Sequence, residues 1–262
     1  MSGASVAIVT GAGNEHGIGF AAARRLAGTG LHVVVAATSD RIHDRAAQIV
    51  AEGGSAEGVV ADLRDPRSVD AMVAVAATLG PIDVLVNNAG MTSVGAGEDA
   101  AGLLHELSLE QWDDTVRRNL STAFLVCRAV VPGMRERRFG RIVNVSSTTG
   151  PISAFERAAG YAAAKAGMMG LTRALAIESA AFGITVNGVA PGWIDTPSLT
   201  DPERAAGAAS PMGRCGTADE VAAVIAFLAS HDASYVSGTL LVVDGANAVV
   251  EDGSGRTTVI ER

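Results

Sequence analysis

Several features are scarce in this sequence of 262 residues, and each scarcity excludes a class of protein. The 2 cysteines, Cys127 and Cys215, are too few for a disulfide framework, so we expect reduced, packed thiols. No uncharged apolar run reaches the roughly 18 residues that a transmembrane helix needs. The net charge of −8 and the lack of a basic run argue against nucleic acid as a partner.

A secretory leader is not expected either. The run Ala4–Val9 is typical of a structural strand, and no basic flank precedes it. We therefore expect a cytoplasmic protein that binds neither membranes nor nucleic acids, and no metal site is predicted.

Lysine is the scarcest charged residue: Lys165 stands alone among 20 basic side chains, and the others are arginines. It lies four positions after Tyr161, one of only 2 tyrosines. On a helix this spacing puts both side chains on one face, so the ammonium is expected to lower the pKa of the phenol towards the range useful for proton transfer. A surface lysine beside a core tyrosine is the alternative that this pair alone leaves open.

Apolar runs of strand length alternate with longer helical patterns. The short runs lack strict polar alternation, as expected of strands that are covered on both faces. Strands are predicted at Val6–Thr10, His32–Ala36, Ala56–Ala61, Val84–Asn87, Arg141–Ser146, Ile184–Val189 and Thr239–Val243. Helices are predicted at Gly19–Thr29, Arg67–Leu79, Leu109–Arg137, Tyr161–Ala181 and Thr217–Ser230. The third helix contains Pro132-Gly133, where a kink or an early end is expected.

This alternation predicts an α/β fold of one domain: a Rossmann-type, doubly wound, seven-stranded parallel sheet with helices on both faces. We expect the domain to span residues 1–246, followed by a tail at 247–262 that is flexible or lies at a subunit interface. Three stretches, 91–106, 194–214 and 246–262, fit the pattern poorly. The first two are expected near the carboxyl ends of the strands, where such sheets bind ligands.

A glycine-rich segment, Thr10–Gly19, joins the first strand to the first helix. Glycines at such a turn allow a tight bend and a close approach of the backbone to a pyrophosphate. The helix that follows presents unpaired N–H groups to the phosphates. An ordinary flexible loop is the alternative, but the position between strand and helix favours dinucleotide binding.

Together with the tyrosine–lysine pair, these motifs resemble the short-chain dehydrogenase/reductase family, especially the branch that contains the 3-oxoacyl-(acyl-carrier-protein) reductases. The resemblance runs from about Val6 to Gly245. It rests on the turn Thr10–Gly19, Asp62-Leu63, Asn87–Gly90, Asn119-Leu120, Ser146–Gly150, Tyr161-x-x-x-Lys165, Pro191-Gly192 and Val243–Gly245.

The resemblance implies hydride transfer between a nicotinamide cofactor and a carbonyl or secondary alcohol. Tyr161 would be the general acid and base, and Lys165 would lower its pKa and bind the nicotinamide ribose. Ser147 would polarise the carbonyl oxygen, and Asn119 would order a water that relays protons to Lys165. A helix-capping serine and an asparagine inside a helix are the structural alternatives for the last two.

The cofactor-binding residues implied are Gly11, Gly17, Ile18, Gly19, Thr38, Ser39, Arg41, Asp62, Leu63, Asn88, Ala89, Gly90, Tyr161, Lys165, Pro191, Gly192, Ile194 and Thr196.

At the end of the second strand, Ala37 stands where NAD-specific relatives have an aspartate. Thr38, Ser39 and Arg41 can bind a 2′-phosphate, so NADP(H) is favoured. Asp40 keeps NAD(H) possible.

Two features depart from the family pattern. Five residues, 12–16, separate the first glycine of the turn from the Gly-x-Gly pair, where three are usual, so a bulge is expected near the adenosine phosphate or pyrophosphate. Divergent enoyl reductases also have longer turns, but their wider spacing between tyrosine and lysine argues against that assignment. The segment 91–118 is also longer than in compact relatives and could form part of a substrate wall.

The substrate is left open by the sequence. A generic ketone or alcohol is favoured over a carrier-protein thioester, although Arg135, Arg137, Arg138 and Arg141 could contact an acidic carrier. An NAD-dependent alcohol dehydrogenase, a redox-neutral dehydratase or epimerase and a non-catalytic cofactor-binding regulator are the other candidates. The resemblance implies a homotetramer or homodimer that pairs the helices holding Asn119 and Tyr161.

Overall fold

A computed structural model of the protein describes residues 5–90 and 102–250. The strands are β1 (Val6–Thr10), β2 (His32–Ala37), β3 (Ser55–Val60), β4 (Ile82–Asn87), β5 (Gly140–Val145), β6 (Ile184–Pro191) and β7 (Leu240–Val243). The helices are α1 (Ile18–Ala27), α2 (Arg41–Ala51), α3 (Pro66–Leu79), α4 (Leu109–Val116), α5 (Thr122–Arg137), α6 (Ala159–Ala180), α7 (Asp201–Ala208) and α8 (Ala218–Ala229).

The seven strands form one sheet in the order β3-β2-β1-β4-β5-β6-β7, and every neighbouring pair is parallel. The chain starts in the middle, winds outward to β3, and then returns to fill the other half from β4 to β7. The predicted doubly wound sheet is therefore confirmed, and the predicted strand ends differ by a few residues. The strand order reverses between β1 and β4, so their carboxyl ends flank the crevice where such folds bind ligands.

The sheet separates two apolar cores, and alternate residues of each strand point into one or the other. In β1, Ala7 and Val9 belong to the core under α1, α2 and α8, whereas Val6 and Ile8 belong to the core under α3 and α5. All five residues of β1 are buried. Burial on both faces explains why the strands are continuous apolar runs without polar alternation.

The predicted helix Leu109–Arg137 is helical throughout but changes its winding. A π-helical segment, Arg117–Ser121, lies between α4 and α5, and α5 continues through Pro132 to Arg137. The expected early end at Pro132-Gly133 is therefore wrong, and the alternative of a kink stays a prediction. The loss of one backbone hydrogen bond at the proline is offset by burial of Val130, Val131 and Met134 around it.

Two helices are additional to the predicted ones. The helix α2 follows the second strand, and α7 lies within the stretch 194–214 that fitted the pattern poorly. The segment 91–101 and the tail beyond residue 250 lie outside the described residues, so expectations about them stay predictions. Within the described ranges no helix combines the length and apolarity that a bilayer crossing requires. The cytoplasmic location stays a prediction.

Candidate active site

The end of β1 is clamped to the end of β4 by side-chain hydrogen bonds. Thr10 Oγ1 accepts the backbone N–H groups of Asn88 and Ala89, at 3.0 and 3.1 Å. In return, Asn88 Nδ2 donates to the carbonyl oxygens of Thr10 and Gly11, both at 3.1 Å. A Cβ on Gly19 would lie 2.5 Å from that Nδ2, so only glycine leaves room for the clamp. The turn is thereby held at the crevice between the two strands.

The first turn of α1 is open to an anion. Its N-cap residue, Gly17, offers no side-chain hydrogen bond, and no acidic residue occupies the first turn. The N–H groups there and the positive end of the helix dipole therefore remain available to a phosphate. Gly11 has φ of +68°, and a Cβ on it would lie 2.8 Å from Ala89 Cα. These residues fit the pyrophosphate of a dinucleotide.

The lengthened turn leans towards β2 and α2. Asn14 Oδ1 accepts the backbone N–H two residues further on, at 3.0 Å, which orders the bulge. A Cβ on Gly13 would lie 2.9 Å from the Ala37 Cβ at the end of β2. Glu15 Oε2 receives Arg45 Nη1 of α2 at 3.0 Å. The extra residues thus tie the phosphate-facing turn to the second helix.

The residues predicted to select the cofactor lie on the loop between β2 and α2. Thr38 and Arg41 are exposed, and Arg41 Nε donates to Ser39 Oγ at 3.4 Å. Asp40 is the N-cap residue of α2 but its side chain makes no capping hydrogen bond. The hydroxyls and the guanidinium are grouped together here, as a phosphate would require.

Asp62 follows β3 and is held by Arg64. The guanidinium binds the carboxylate with both Nε and Nη2, at 3.0 and 2.8 Å, and this hydrogen bonding lowers the pKa of Asp62. Arg64 also faces Asp114 of α4 at 3.8 Å. Leu63 beside it is buried. The carboxylate predicted to bind the adenine is thus ionised and oriented, with unused lone pairs for a further donor.

Ser147 is brought to the start of α6 by a tight turn after β5. Its Oγ accepts the backbone N–H of Thr149 at 3.1 Å and hydrogen-bonds the Tyr161 hydroxyl. Gly150 has φ of +105°, and a Cβ on it would overlap with the Ala162 carbonyl oxygen. Glycine at this position therefore lets the serine turn lie directly on the helix that carries the tyrosine.

Lys165 is buried, with a relative exposure of 3%. Its Nζ donates to the Val145 carbonyl oxygen at 2.9 Å and lies 5.7 Å from the centroid of the Tyr161 ring. Burial lowers the pKa of Lys165 from 10.5 to about 8, because desolvation disfavours the charged ammonium.

The expected lowering of the Tyr161 pKa is not what this structure shows. Burial raises the pKa of the phenol, the hydrogen bond from Ser147 opposes this rise, and the charge of Glu203 adds to it. The Lys165 ammonium donates to the Val145 carbonyl oxygen and lies 5.7 Å from the ring centroid, so burial of the phenol decides the direction of the shift.

Asn119 lies in the π-helical segment and is fully buried. Its Nδ2 donates to the Thr115 carbonyl oxygen at 3.1 Å. A Cβ on Gly90 would lie 2.7 Å from Asn119 Oδ1 and 3.2 Å from Lys165 Nζ. Gly90, three residues after β4, therefore lies against both side chains, and the Asn119 amide and the Lys165 ammonium are neighbours.

A cavity of about 210 Å³ opens at the carboxyl edge of the sheet. Its lining includes ten of the predicted site residues: Ile18, Asn88, Gly90, Ser147, Tyr161, Lys165, Pro191, Gly192, Ile194 and Thr196. The remaining predicted residues lie around it, in the glycine turn, after β2 and β3, and behind Gly90. No cluster of three or more metal-ligating side chains occurs in the ranges that the structure describes.

Several lining residues were not assigned individually from the sequence. They are Val145, Ser146, Thr148, Thr149, Phe155, Trp193, Ser198, Leu199 and Glu203. The last three fall in the segment 194–214, which was expected near the carboxyl ends of the strands, where such sheets bind ligands. Trp193 had a usable signal, because it directly follows Pro191-Gly192.

Within one subunit, the arginines that could bind an acidic carrier protein lie at the amino edge of the sheet, away from the cavity at the carboxyl edge. Arg141 is at the amino end of β5, is buried, and donates to the Ser230 and Gly183 carbonyl oxygens. Arg135 stacks on Phe182, 4.1 Å from the ring centroid. These side chains do not flank the cavity in a single copy of the chain.

Known proteins that this chain resembles belong to one family. A family model described as enoyl-(acyl carrier protein) reductase matches residues 11–246. The 3-oxoacyl-(acyl-carrier-protein) reductase of Escherichia coli (strain K12) is 40% identical over 252 residues, covering 94% of this chain and 98% of that protein. The acetoacetyl-CoA reductase of Shinella zoogloeoides is 39% identical over 250 residues, covering 94% and 99%.

A solved structure has the same architecture. An actinorhodin polyketide ketoreductase, crystallised with NADPH, superposes with a TM-score of 0.86 at 36% identity, covering 95% of this chain and all of that one (100%). The chain therefore belongs to the short-chain dehydrogenase/reductase family. It is an oxidoreductase of the class that works with a nicotinamide cofactor.

Proposed function

We propose that this protein transfers a hydride between NADP(H) and a carbonyl or secondary alcohol substrate, with Tyr161 as general acid and base. The observation that carries the proposal is that Ser147, Tyr161 and Lys165 line one cavity together with Ile18 and Asn88 of the phosphate-binding crevice. A catalytic hydroxyl pair and a dinucleotide cradle thus share one opening.

The bound nicotinamide would donate or accept the hydride. The chain's own residues then handle the oxygen and the proton. Ser147 and Tyr161 form a pair of hydroxyls that can hold a carbonyl oxygen, and the raised pKa keeps Tyr161 protonated at neutral pH, ready to donate. Lys165, with a pKa of about 8, is mostly an ammonium at pH 7 and favours the phenolate that remains.

Asn119 and the π-helical segment support this proton transfer. The fully buried amide touches the same glycine, Gly90, that approaches Lys165 Nζ. Asn119 therefore belongs to the wall behind the lysine, where a water relaying protons from Lys165 would be ordered. We also propose that the remaining residues predicted to contact the cofactor, from Gly11 to Thr196, bind it as the family resemblance implies.

We infer NADP(H) rather than NAD(H) as the preferred cofactor. The strand β2 ends in Ala37 rather than in a carboxylate, and Ser39 and Arg41 are grouped in the following loop, where a 2′-phosphate could bind. The neighbouring ketoreductase structure contains NADPH. Arg41→Ala should raise the Kd for NADPH several-fold and leave that for NADH unchanged, with Arg25→Ala as the matched exposed arginine. An equal effect on both cofactors would contradict the assignment.

Reduction of a 3-oxoacyl thioester is the second candidate, favoured by the 40% identity to the Escherichia coli enzyme. The family model carries the name of an enoyl reductase, yet the spacing of Tyr161 and Lys165 on α6 favours carbonyl reduction. The assay panel should therefore contain β-keto thioesters, simple ketones and an enoyl thioester, each with NADPH and NADH.

The test is cofactor consumption by absorbance in the wild type, Tyr161→Phe and Tyr235→Phe. Tyr235 is fully exposed, so its variant is the matched control for removing a phenol. We expect turnover to fall by about a thousandfold in Tyr161→Phe and to be kept in Tyr235→Phe. Cofactor binding without consumption on any substrate would instead support a redox-neutral enzyme or a regulator.

A homotetramer or homodimer is also proposed. Phe124 of α5 and Ile177 of α6 are apolar side chains with 46% and 80% exposure, as expected of helices that pair with another copy. Light scattering should show an oligomer, and Ile177→Asp should weaken it. A monomer at micromolar concentration would contradict this part of the proposal.

A further inference from the structure

The cavity carries one negative charge that the reaction does not use. Among the described lining residues, Glu203 is the one carboxylate and Lys165 the one cation. The Lys165 ammonium is buried and directed to a backbone carbonyl, whereas Glu203 is partly exposed. A substrate that enters therefore meets the carboxylate before it meets the lysine.

The position of Glu203 is set by the start of α7. Thr200 is the N-cap residue, and its backbone N–H and its hydroxyl both donate to Glu203 Oε2, at 2.8 Å each. This capping box holds the side chain in place. Glu203 Oε1 makes no hydrogen bond to any residue in the described ranges, so it remains available to a ligand.

The charge of Glu203 is not neutralised by the arginines nearby. Arg204 is paired with Asp195, and Arg214 binds Glu220 at 2.7 Å. The field of Glu203 therefore reaches the catalytic end of the cavity, where it contributes to the raised pKa of the Tyr161 phenol.

The wall of the cavity is suited to a cation in a second way. Phe155 and Trp193 both line it, and their ring centroids lie 6.3 Å apart with the planes tilted by 40°. Aromatic faces attract cations, and a carboxylate beside them adds to this attraction. An anion would meet repulsion from the same carboxylate.

We propose that Glu203 is a specificity-determining residue, which disfavours carbonyl substrates with a negative charge near the reacting group and favours those with a positive charge, such as amino ketones. This inference rests on the proposed carbonyl reduction at Tyr161. It gives that reaction a substrate class, since ketones bearing a protonated amine fit the cavity better than oxo acids of the same size.

Three ketones of similar size and different charge test the inference: aminoacetone, hydroxyacetone and pyruvate. At pH 7 the wild type should show kcat/KM falling in that order, by about tenfold for each step in charge. Glu203→Gln should compress the series to within about twofold, because the amide keeps the capping acceptor and removes the charge. Asp201→Asn, an exposed carboxylate on the same helix that does not line the cavity, should leave the series as in the wild type.

A second readout does not depend on turnover. In a Tyr235→Phe background Tyr161 is the only tyrosine, so its ionisation can be followed by ultraviolet absorbance. Within the part of the chain that the structure describes, the groups facing it are Ser147, Lys165 and Glu203. Glu203→Gln should lower the titration midpoint, and Asp201→Asn should not.

The outcomes separate the inference from the proposed function. An unchanged charge series or an unchanged Tyr161 midpoint in Glu203→Gln overturns the role of Glu203. If the wild type reduces none of these ketones and no β-keto thioester, the proposed function fails, and the titration still decides whether Glu203 acts on the catalytic end of the cavity.

Discussion

Replacing Lys165 with methionine should separate the contribution of this lysine to activity from its cost to stability. Burial lowers its pKa from 10.5 to about 8. At ~1.36 kcal/mol for each unit of pKa, keeping the ammonium in the folded protein costs roughly 3 kcal/mol below pH 8. Methionine has a similar length and removes this cost, but it leaves the Val145 carbonyl oxygen without its donor. That loss opposes the gain by about 1–3 kcal/mol, so the net change at pH 7 should be small or stabilising.

The dependence on pH is the sharper test. Between pH 8 and 10.5 the unfolded chain keeps the lysine proton and the folded chain releases it, so the wild type gains stability relative to Lys165→Met as pH rises. The difference should change by roughly 3 kcal/mol across that window. Urea unfolding measured at several pH values would show it. Carrying out the comparison in a Tyr161→Phe background removes the titration of the neighbouring phenol.

Unlike stability at pH 7, the activity of Lys165→Met should fall. Lys165→Met is expected to reduce kcat/KM by about a hundredfold or more, because the phenolate of Tyr161 loses its cation. A stability difference that stays flat from pH 7 to 10.5 would refute the reasoning about desolvation. Full activity in the methionine variant would refute the role of the ammonium.

Three further predictions follow from the described contacts. Gly90→Ala would place a Cβ 2.7 Å from Asn119 Oδ1 at a residue with φ of +152°. Unfolding titrations should show a loss of about 1–3 kcal/mol in the free energy of unfolding, and activity should fall at least tenfold. Wild-type stability and activity would contradict the close approach. Glu15→Gln breaks the pair with Arg45, so calorimetry should show a severalfold weaker Kd for NADPH while the melting temperature changes little; unaltered affinity would mean that the pair does not hold the turn. Cys127 is fully buried with a pKa raised to about 12, so it should not react with a disulfide reagent until the protein unfolds, and rapid labelling in the native state would disagree.

Much of the fold could be predicted because its signals are local. Each strand is an apolar run that is buried on both faces, and each run is followed by a helical pattern, so the alternation alone indicates a parallel sheet. The helix α2 was missed because its apolar stripe is narrow: Ile42, Ala46 and Ile49 are its buried residues, and polar side chains surround them. The winding change at Arg117–Ser121 was missed because no proline or glycine marks it.

Parts of the candidate site could be predicted where the residue types and spacing of a short motif indicate its chemistry. The spacing of Tyr161 and Lys165 puts both on one face of α6, and the glycines of the first turn indicate a backbone close to an anion. Glu203 carries no such signal. It matches an ordinary helix-capping carboxylate, and only the packing of α7 against the cavity brings its charge near the phenol.

The order of strands and helices, the family, and the residue types available for proton transfer and phosphate binding follow from the amino-acid sequence, because these depend on periodicity and on the chemistry of short segments. The electrostatics of the site depend on the folded arrangement. Whether the phenol of Tyr161 has a raised or lowered pKa depends on how deeply it is buried and which charges face it. Desolvation and charge–charge interactions are set by neighbours from distant segments, such as the Val145 carbonyl that accepts from Lys165 and Glu203 in the cavity wall, and no local pattern contains them.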